Sequence, residues 1–216
     1  VYRSSISITF QEHCAQMAKK VREMIKPSES ELVVDIASND GCLLQQFKKK
    51  RFKVLGVEPA KNLAEIANSN GIETICSFWN RESAIKILNK YGEAKVITAT
   101  NVLAHVDNLN VFLEDVKILL GKDGLFIVEV PYLHDLLIKN EFDTIYHEHL
   151  SYFLVKPLKK LYENKGLSII RVEKYPIHGG SLRIYASKNN LNENASVREF
   201  LNFENKNRLY DISTYK

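Results

Sequence analysis

Short apolar runs rich in β-branched residues alternate with helix-period patterns along most of this 216-residue chain, and that alternation limits the fold more than any other feature. Residues 10 to 26 place Phe10, Cys14, Met17, Val21 and Met24 or Ile25 at helical spacing, and Pro27 with Ser28 ends the pattern. The run from Leu32 to Ala37 reads as a buried strand, and Leu43, Leu44 and Phe47 then open a helix. The rhythm repeats with a strand at Val54 to Glu58, a helix at Asn62 to Asn70, a short strand near Glu73 to Cys76 and a helix at Glu82 to Tyr91. A strand at Lys95 to Thr100, a helix at Leu109 to Leu120 and a strongly apolar strand at Leu125 to Val130, stopped by Pro131, follow. Units of this kind wind into a largely parallel sheet covered by helices.

The rhythm then changes. A helix at Pro157 to Asn164, with Gly166 beyond its end, leads into Leu167 to Val172, and a turn at Gly179-Gly180 precedes Leu182 to Ala186. Two strands joined without a helix predict an antiparallel edge. A doubly wound α/β sheet that ends in an antiparallel hairpin is the Rossmann-like layout of class I methyltransferases, whereas dinucleotide-binding folds finish on another parallel unit. Residues 1–188 are therefore expected to form one core with a leading helix. The polar, Asn-rich stretch 189–216, with a helix over Val197 to Tyr210, is expected to be a helical tail or the start of a further domain.

Composition narrows the function classes. The formal net charge is only +4, and the densest basic run, Lys48 to Arg51, sits at a helix end where it complements the dipole. No basic stripe with interleaved aromatics is present, so nucleic acid is not an expected partner. Cys14, Cys42 and Cys76 are widely spaced and odd in number, which fits a reducing compartment better than a disulfide framework or a structural zinc site. No apolar run reaches the roughly 18 residues of a membrane span, and no signal pattern opens the chain. A cytoplasmic location with no membrane partner is the expectation. The chain starts on Val1 and ends in a polar stretch, which suggests a piece of a longer polypeptide.

In doubly wound sheets, ligands sit beyond the carboxyl ends of the strands. The turn Asp35-Ile36-Ala37-Ser38-Asn39-Asp40-Gly41 lies there with one glycine, Gly41, while Asn39 is a side chain that tolerates positive φ. An ordinary strand-to-helix connection capped by Asp40 or Asn39 explains the turn about as well. Glu58 closes the second strand about 20 residues on, where an acid accepts hydrogen bonds from both ribose hydroxyls of an adenosine. Its alternative role is a helix N-cap, against which stands Pro59 as a helix-starting residue. A nicotinamide cofactor fits the same spacing, but its pyrophosphate demands the closer backbone approach of a glycine-rich turn. S-Adenosylmethionine carries no phosphate.

Three further segments hold titratable groups. His105 follows the fourth strand in Asn101-Val102-Leu103-Ala104-His105. The run Tyr146-His147-Glu148-His149 sits after the fifth strand, between Phe142 and Phe153. A metal site is one reading of its two histidines, but no third ligand has suggestive spacing. A general base beside a phenol is the better one, since histidine titrates near neutrality and a Tyr or second His can hold an oxyanion. In Ile177-His178-Gly179-Gly180-Ser181 the paired glycines either admit a ligand to the backbone or make a hairpin turn.

Six ordered blocks carry a resemblance: Asp35 to Gly41, Gly56 to Ala60, Asn101 to Val106, Glu129 to Tyr132, Tyr146 to Tyr152 and His178 to Arg183. Together, with Tyr2-Arg3-Ser4-Ser5 at the start and Ala186 near the end, they resemble the S-adenosylmethionine-dependent sugar C-methyltransferases of deoxysugar biosynthesis. Against that family, the chain is expected to be without the amino-terminal cysteine-rich zinc module and most of the carboxyl-terminal domain. The resemblance implies methylation at carbon of a dTDP-linked 4-keto-deoxysugar, so the implied partner is a nucleotide sugar. It implies that Tyr146, His149 and His105 line the reacting centre; the chemistry then makes His149 the base and Tyr146 and His105 the groups that hold the enolate oxygen, while Glu148 either orients a histidine or makes a simple structural pair. The expected cofactor site comprises Asp35, Ala37, Ser38, Asn39, Gly41, Glu58, Pro59, Phe78, Asn101, Val102 and Leu103, the expected substrate site Glu148, His178, Gly179 and Gly180, and no metal is expected, because the cysteine spacing offers no site and methyl transfer from a sulfonium needs no Lewis acid. The rivals are a nicotinamide-dependent oxidoreductase and a truncated, non-catalytic cofactor-binding module.

Overall fold

The computed structural model of the protein describes residues 3–25, 31–189 and 193–215. Its elements follow the order α1 (Ile8–Ile25), β1 (Leu32–Ile36), α2 (Cys42–Lys49), β2 (Lys53–Val57), α3 (Lys61–Ser69), β3 (Thr74–Ile75), α4 (Arg81–Tyr91), β4 (Ala94–Thr100) and α5 (Leu109–Leu119). Then come β5 (Leu120–Pro131), α6 (Leu133–Lys139), α7 (Val155–Asn164), β6 (Ser168–Tyr175), β7 (Ser181–Ser187) and α8 (Ala195–Lys206). The strand order is β3-β2-β1-β4-β5-β7-β6. The chain forms two compact units, residues 1–99 with 115–124 and residues 100–114 with 125–216.

In the first unit, β1 pairs in parallel with β2 and β4, and β2 with β3. All five residues of β1 are buried, as a strand covered on both faces requires. Helix α1 buries Phe10, Cys14, Met17, Ala18 and Val21 on one face and packs on α2. The stop expected at Pro27 and Ser28 lies outside the described residues. Cys14 and Cys42, distant in sequence, meet as buried thiols, and the hydrogen bond between them lowers the Cys42 pKa against the opposing effect of burial. Helix α4 is closed by a capping box, in which Asn80 Oδ1 accepts from the Ser83 amide at 2.9 Å and Ser83 Oγ lies 3.0 Å from the Asn80 amide.

In the second unit, β7 pairs antiparallel with both β5 and β6, forming the predicted edge. The register sets Glu129, Arg183 and Glu173 side by side across the three strands. Arg183 and Glu129 are 0% and 1% exposed, and the guanidinium donates from Nε to Glu129 Oε1 at 2.6 Å. Arg183 also donates to the Tyr175 hydroxyl at 3.1 Å, and the Tyr175 and Tyr185 hydroxyls donate to Glu173 at 2.9 and 3.0 Å. Burial pushes the Tyr175 phenol up to about 12.

Several elements differ from the sequence reading, among them the end of β6 at Tyr175 rather than Val172 and of α8 at Lys206 rather than Tyr210. β5 begins at Leu120 rather than Leu125, because Gly121 and Gly124 let the chain run extended close to the Ala94 carbonyl, where an added Cβ would come to 3.3 and 3.0 Å. Helix α6, after Pro131, was not anticipated; it is only seven residues long and offers little periodicity. Helix α3 starts at Lys61, one residue before the expected Asn62, but Pro59 does not open it, since Glu58 Oε1 accepts the Ala60 amide at 2.9 Å and holds that turn outside the helix. The expected tail contains α8, which packs against β6 and is joined to it by a 3.2 Å bond from the Val172 amide to Ser196 Oγ. Its buried Glu204 caps α7, accepting from the Val155 and Lys156 amides at 2.7 and 3.2 Å and from the Tyr210 hydroxyl.

Candidate active site

The first unit presents the turn after β1 and the acid after β2. Three residues around this turn take the left-handed conformation, Ala37 and Asn39 each at φ 53° and Gly41 at 80°. The tight turn expected of Asn39 is thus formed, and alanine at residue 37 carries a strain that nothing in its type signals. Gly41 is the N-cap of α2 and no side chain caps that helix, so Asp40 and Asn39 do not serve as its cap. Asp35 lies within β1, where its carboxylate accepts the Thr98 hydroxyl at 2.6 Å. Ser38 is buried, and its Oγ lies where a Cβ on Gly56 would come within 2.4 Å, so that glycine makes room for the serine.

Glu58 is 5% exposed and braces the turn. One oxygen accepts the Asn39 amide at 2.8 Å and the other the Ala60 amide at 2.9 Å. A carboxylate has about four acceptor sites, so two remain for a diol. A buried acid beside a chain turned through left-handed residues suits a ribose and an ammonium group, and the donor set therefore fits S-adenosylmethionine. Pro59 continues from Glu58, and Phe78, in the loop after β3, exposes 73% of its surface.

The second unit carries the histidines. Asn101 (φ 56°) follows β4, its amide donating to the Glu129 carbonyl at 2.9 Å, and Val102 leads into a short 3-10 turn, Leu103–His105. Leu103 is buried and His105 is exposed. The segment carrying Tyr146 to His149 is tied to this turn by the Leu150 amide, which donates to the Ala104 carbonyl at 2.8 Å. The rings of His105 and His149 then lie 4.9 Å apart.

His149 has a defined proton arrangement. Its Nδ1 sits 2.7 Å from the Thr144 carbonyl, which can only accept, so Nδ1 carries the hydrogen. The lone pair of the neutral ring is therefore on Nε2, 3.2 Å from the Tyr146 hydroxyl. A base with its free nitrogen against a phenol, and a second imidazole beside it, is an arrangement for moving a proton. The Thr144 carbonyl orients the ring, a task for which the sequence offered Glu148 beside a merely structural pairing of that acid; a backbone acceptor leaves no trace in residue type. His147 stands edge-on to Tyr146 at 6.0 Å. Among the described residues, no three His, Cys, Asp or Glu side chains gather to hold a metal ion.

The paired glycines form the β6–β7 turn. His178, Gly179 and Gly180 all have positive φ (48°, 77° and 137°), and the Gly180 amide donates to the Ile177 carbonyl at 2.9 Å. Side chains also press on them: an added Cβ would meet a Glu141 oxygen at 2.2 Å from Gly179 and an Asp135 oxygen at 2.0 Å from Gly180. Turn geometry and these two carboxylates account for both glycines.

The sheet order and the antiparallel edge define the class I methyltransferase fold. Residues 10–172 match the family described as "Methyltransferase domain", and the chain belongs to that family. It is 39% identical over 176 residues to the C-methyltransferase NovU of Streptomyces niveus, a match covering 82% of this chain. The chain spans 42% of the length of that relative. Among solved structures it resembles magnesium protoporphyrin IX methyltransferase of Synechocystis PCC 6803 with bound S-adenosylhomocysteine (TM-score 0.64, 13% identity, 83% of each chain). It also resembles a SAM-dependent methyltransferase from Archaeoglobus fulgidus (TM-score 0.61, 17% identity, 75% of this chain and 72% of that one). At these identities the structural likeness speaks for the fold. Among the described residues, no helix is long and apolar enough to cross a membrane.

Proposed function

We propose that the chain is the core of an S-adenosylmethionine-dependent C-methyltransferase acting on a nucleotide-linked keto-deoxysugar, with His149 as the general base. The observation that carries the reading is the Thr144–His149–Tyr146 chain, which leaves the basic nitrogen on Nε2 beside the phenol. The name of the 39% identical relative, a C-methyltransferase, supports carbon as the methyl acceptor. The sugar and its nucleotide rest on the motif resemblance.

A proton on carbon next to a ketone is acidic enough to pass to an imidazole, because the electron pair left behind delocalises onto the ketone oxygen. Nε2 of His149 takes that proton, while Nδ1–H stays on the Thr144 carbonyl and keeps the ring in place. The Tyr146 hydroxyl and His105 supply hydrogen-bond donors for the developing oxyanion. Bound S-adenosylmethionine supplies an electrophilic methyl group on a sulfonium. Glu58 would hold its ribose, with Asp35, Ala37, Ser38, Asn39, Gly41, Pro59 and Phe78 as the other cofactor residues of the first unit; in the second unit Asn101, Val102 and Leu103 would serve the cofactor, and Glu148 and His178 to Gly180 the sugar.

Solvent-deuterium exchange at the sugar carbon tests the base, because it reads deprotonation without methyl transfer. In the natural full-length protein, His149→Ala should slow exchange by about two to four powers of ten while cofactor affinity is kept. Exchange at the parent rate would remove His149 as the base.

A further inference from the structure

The residues that precede α1 make contacts which the catalytic reading leaves unused. The Ser4 amide donates to Asn39 Oδ1 at 3.0 Å. Ser5 gives Asp40 Oδ2 both its amide, at 3.1 Å, and its hydroxyl, at 2.6 Å, and the Arg3 guanidinium lies 3.7 Å from the same oxygen. Asn39 Oδ1 also accepts the Asp40 amide at 2.9 Å, and the Asn39 amide runs on to Glu58 Oε2 at 2.8 Å. One continuous hydrogen-bonded path thus leads from residues 3–5 through Asn39 and Asp40 to Glu58.

The path has the properties of a constraint. The Asp40 side chain is 0% exposed, so its charge needs partners within the protein, and Ser5 supplies two of them. Helix capping does not explain the acid, because α2 is capped by Gly41 without a side chain. Asn39, between the two anchors, holds the left-handed conformation that a free chain seldom adopts. The segment itself is fixed from the other side: Gln11 Nε2 donates to the Ser5 carbonyl at 2.7 Å, and Ser7 Oγ accepts the Phe10 amide at 3.2 Å at the start of α1.

We propose that Arg3 to Ser5 form a strap over the turn after β1, and that Ser5, acting through Asp40, is a positioning residue for cofactor binding. The strap holds Asn39 in its turned conformation, and through the Asn39 amide it fixes the carboxylate that receives the ribose. This inference rests on the reading of Asn39, Gly41 and Glu58 as part of the cofactor's seat.

Calorimetric titration with S-adenosylhomocysteine of the parent, Ser5→Ala, Ser5→Thr and Glu58→Gln proteins tests both layers. Ser5→Ala removes the short hydroxyl bond to a buried charge and should weaken binding about tenfold. Ser5→Thr keeps the hydroxyl and should bind within about twofold of the parent, a rescue that a general loss of packing would not give. Glu58→Gln should weaken binding as well. Parent-like affinity for Ser5→Ala with weakened Glu58→Gln would overturn the strap and leave the cofactor seat standing. Parent-like affinity for both would overturn the seat and the strap together. A Ser5→Thr protein as weak as Ser5→Ala would also overturn the proposal, since the hydroxyl would then not be the active feature.

Discussion

Replacing Glu129 by glutamine asks what the buried Arg183 pair contributes. The guanidinium and the carboxylate are 0% and 1% exposed, and their Nε to Oε1 separation is 2.6 Å, so water cannot compensate for a lost charge. Removing one partner of such a pair costs about 3 to 5 kcal/mol, because the remaining ion stays desolvated. Glutamine keeps the shape and an acceptor oxygen, which places Glu129→Gln near the lower end, at about 3 kcal/mol. For a chain of this size that corresponds to a fall in melting temperature of about 6 to 12 °C. The double variant Glu129→Leu with Arg183→Met removes both charges at once, and Glu173 keeps Arg171 at 2.6 Å and the two tyrosine hydroxyls. It should therefore lose less than the sum of the two single losses. Urea denaturation followed by circular dichroism gives the four free energies of the cycle. A loss below about 1 kcal/mol for Glu129→Gln, or additive losses in the double variant, would refute the desolvation argument.

Two further outcomes follow from the geometry. Ala37→Gly should raise stability by about 1 kcal/mol, because relief of left-handed alanine strain (about 1 to 2 kcal/mol) exceeds the added chain entropy; an unchanged urea midpoint would show that the turn carries no strain. Burial tends to raise the Asp135 pKa, but hydrogen bonds from Lys174 (2.6 Å) and His134 and the charges of Lys174 and Lys139 lower it on balance. A lowered folded-state value means that the stability this carboxylate gives is present above its unfolded pKa of about 3.9 and is lost as pH falls through the folded one. Asp135→Asn should flatten that acid limb in denaturation curves taken between about pH 5 and pH 2, and an identical limb would exclude the assignment.

The parallel half of the sheet was legible because buried strands repeat the same apolar, β-branched signature, and helices such as α1 show their period over several turns. Glu58 and Asn39 were legible through residue type and spacing. Their mutual hydrogen bond, and the strain at Ala37, were not, since both arise from how the turn closes. In the histidine loop, Tyr146 and His149 could be read from the sequence, whereas the Thr144 carbonyl that fixes the ring could not, because every residue has one. Helix α6 escaped because seven residues after a proline show too little of a 3.6-residue period.

The 2.8 Å bond from the Leu150 amide to the Ala104 carbonyl joins segments 46 positions apart, and the Leu133 amide donates to the Phe153 carbonyl at 3.0 Å just beyond it. Residues 140–150 are largely exposed, yet they are stapled at these two backbone bonds. The segment bearing Tyr146 and His149 therefore has no independent opening near its carboxyl end. To release the Leu150 amide, it must also part from the turn that carries His105. In native-state hydrogen exchange the Leu150 amide should stand out as a slow site within a fast-exchanging stretch, with an opening free energy belonging to the two segments as one cooperative body.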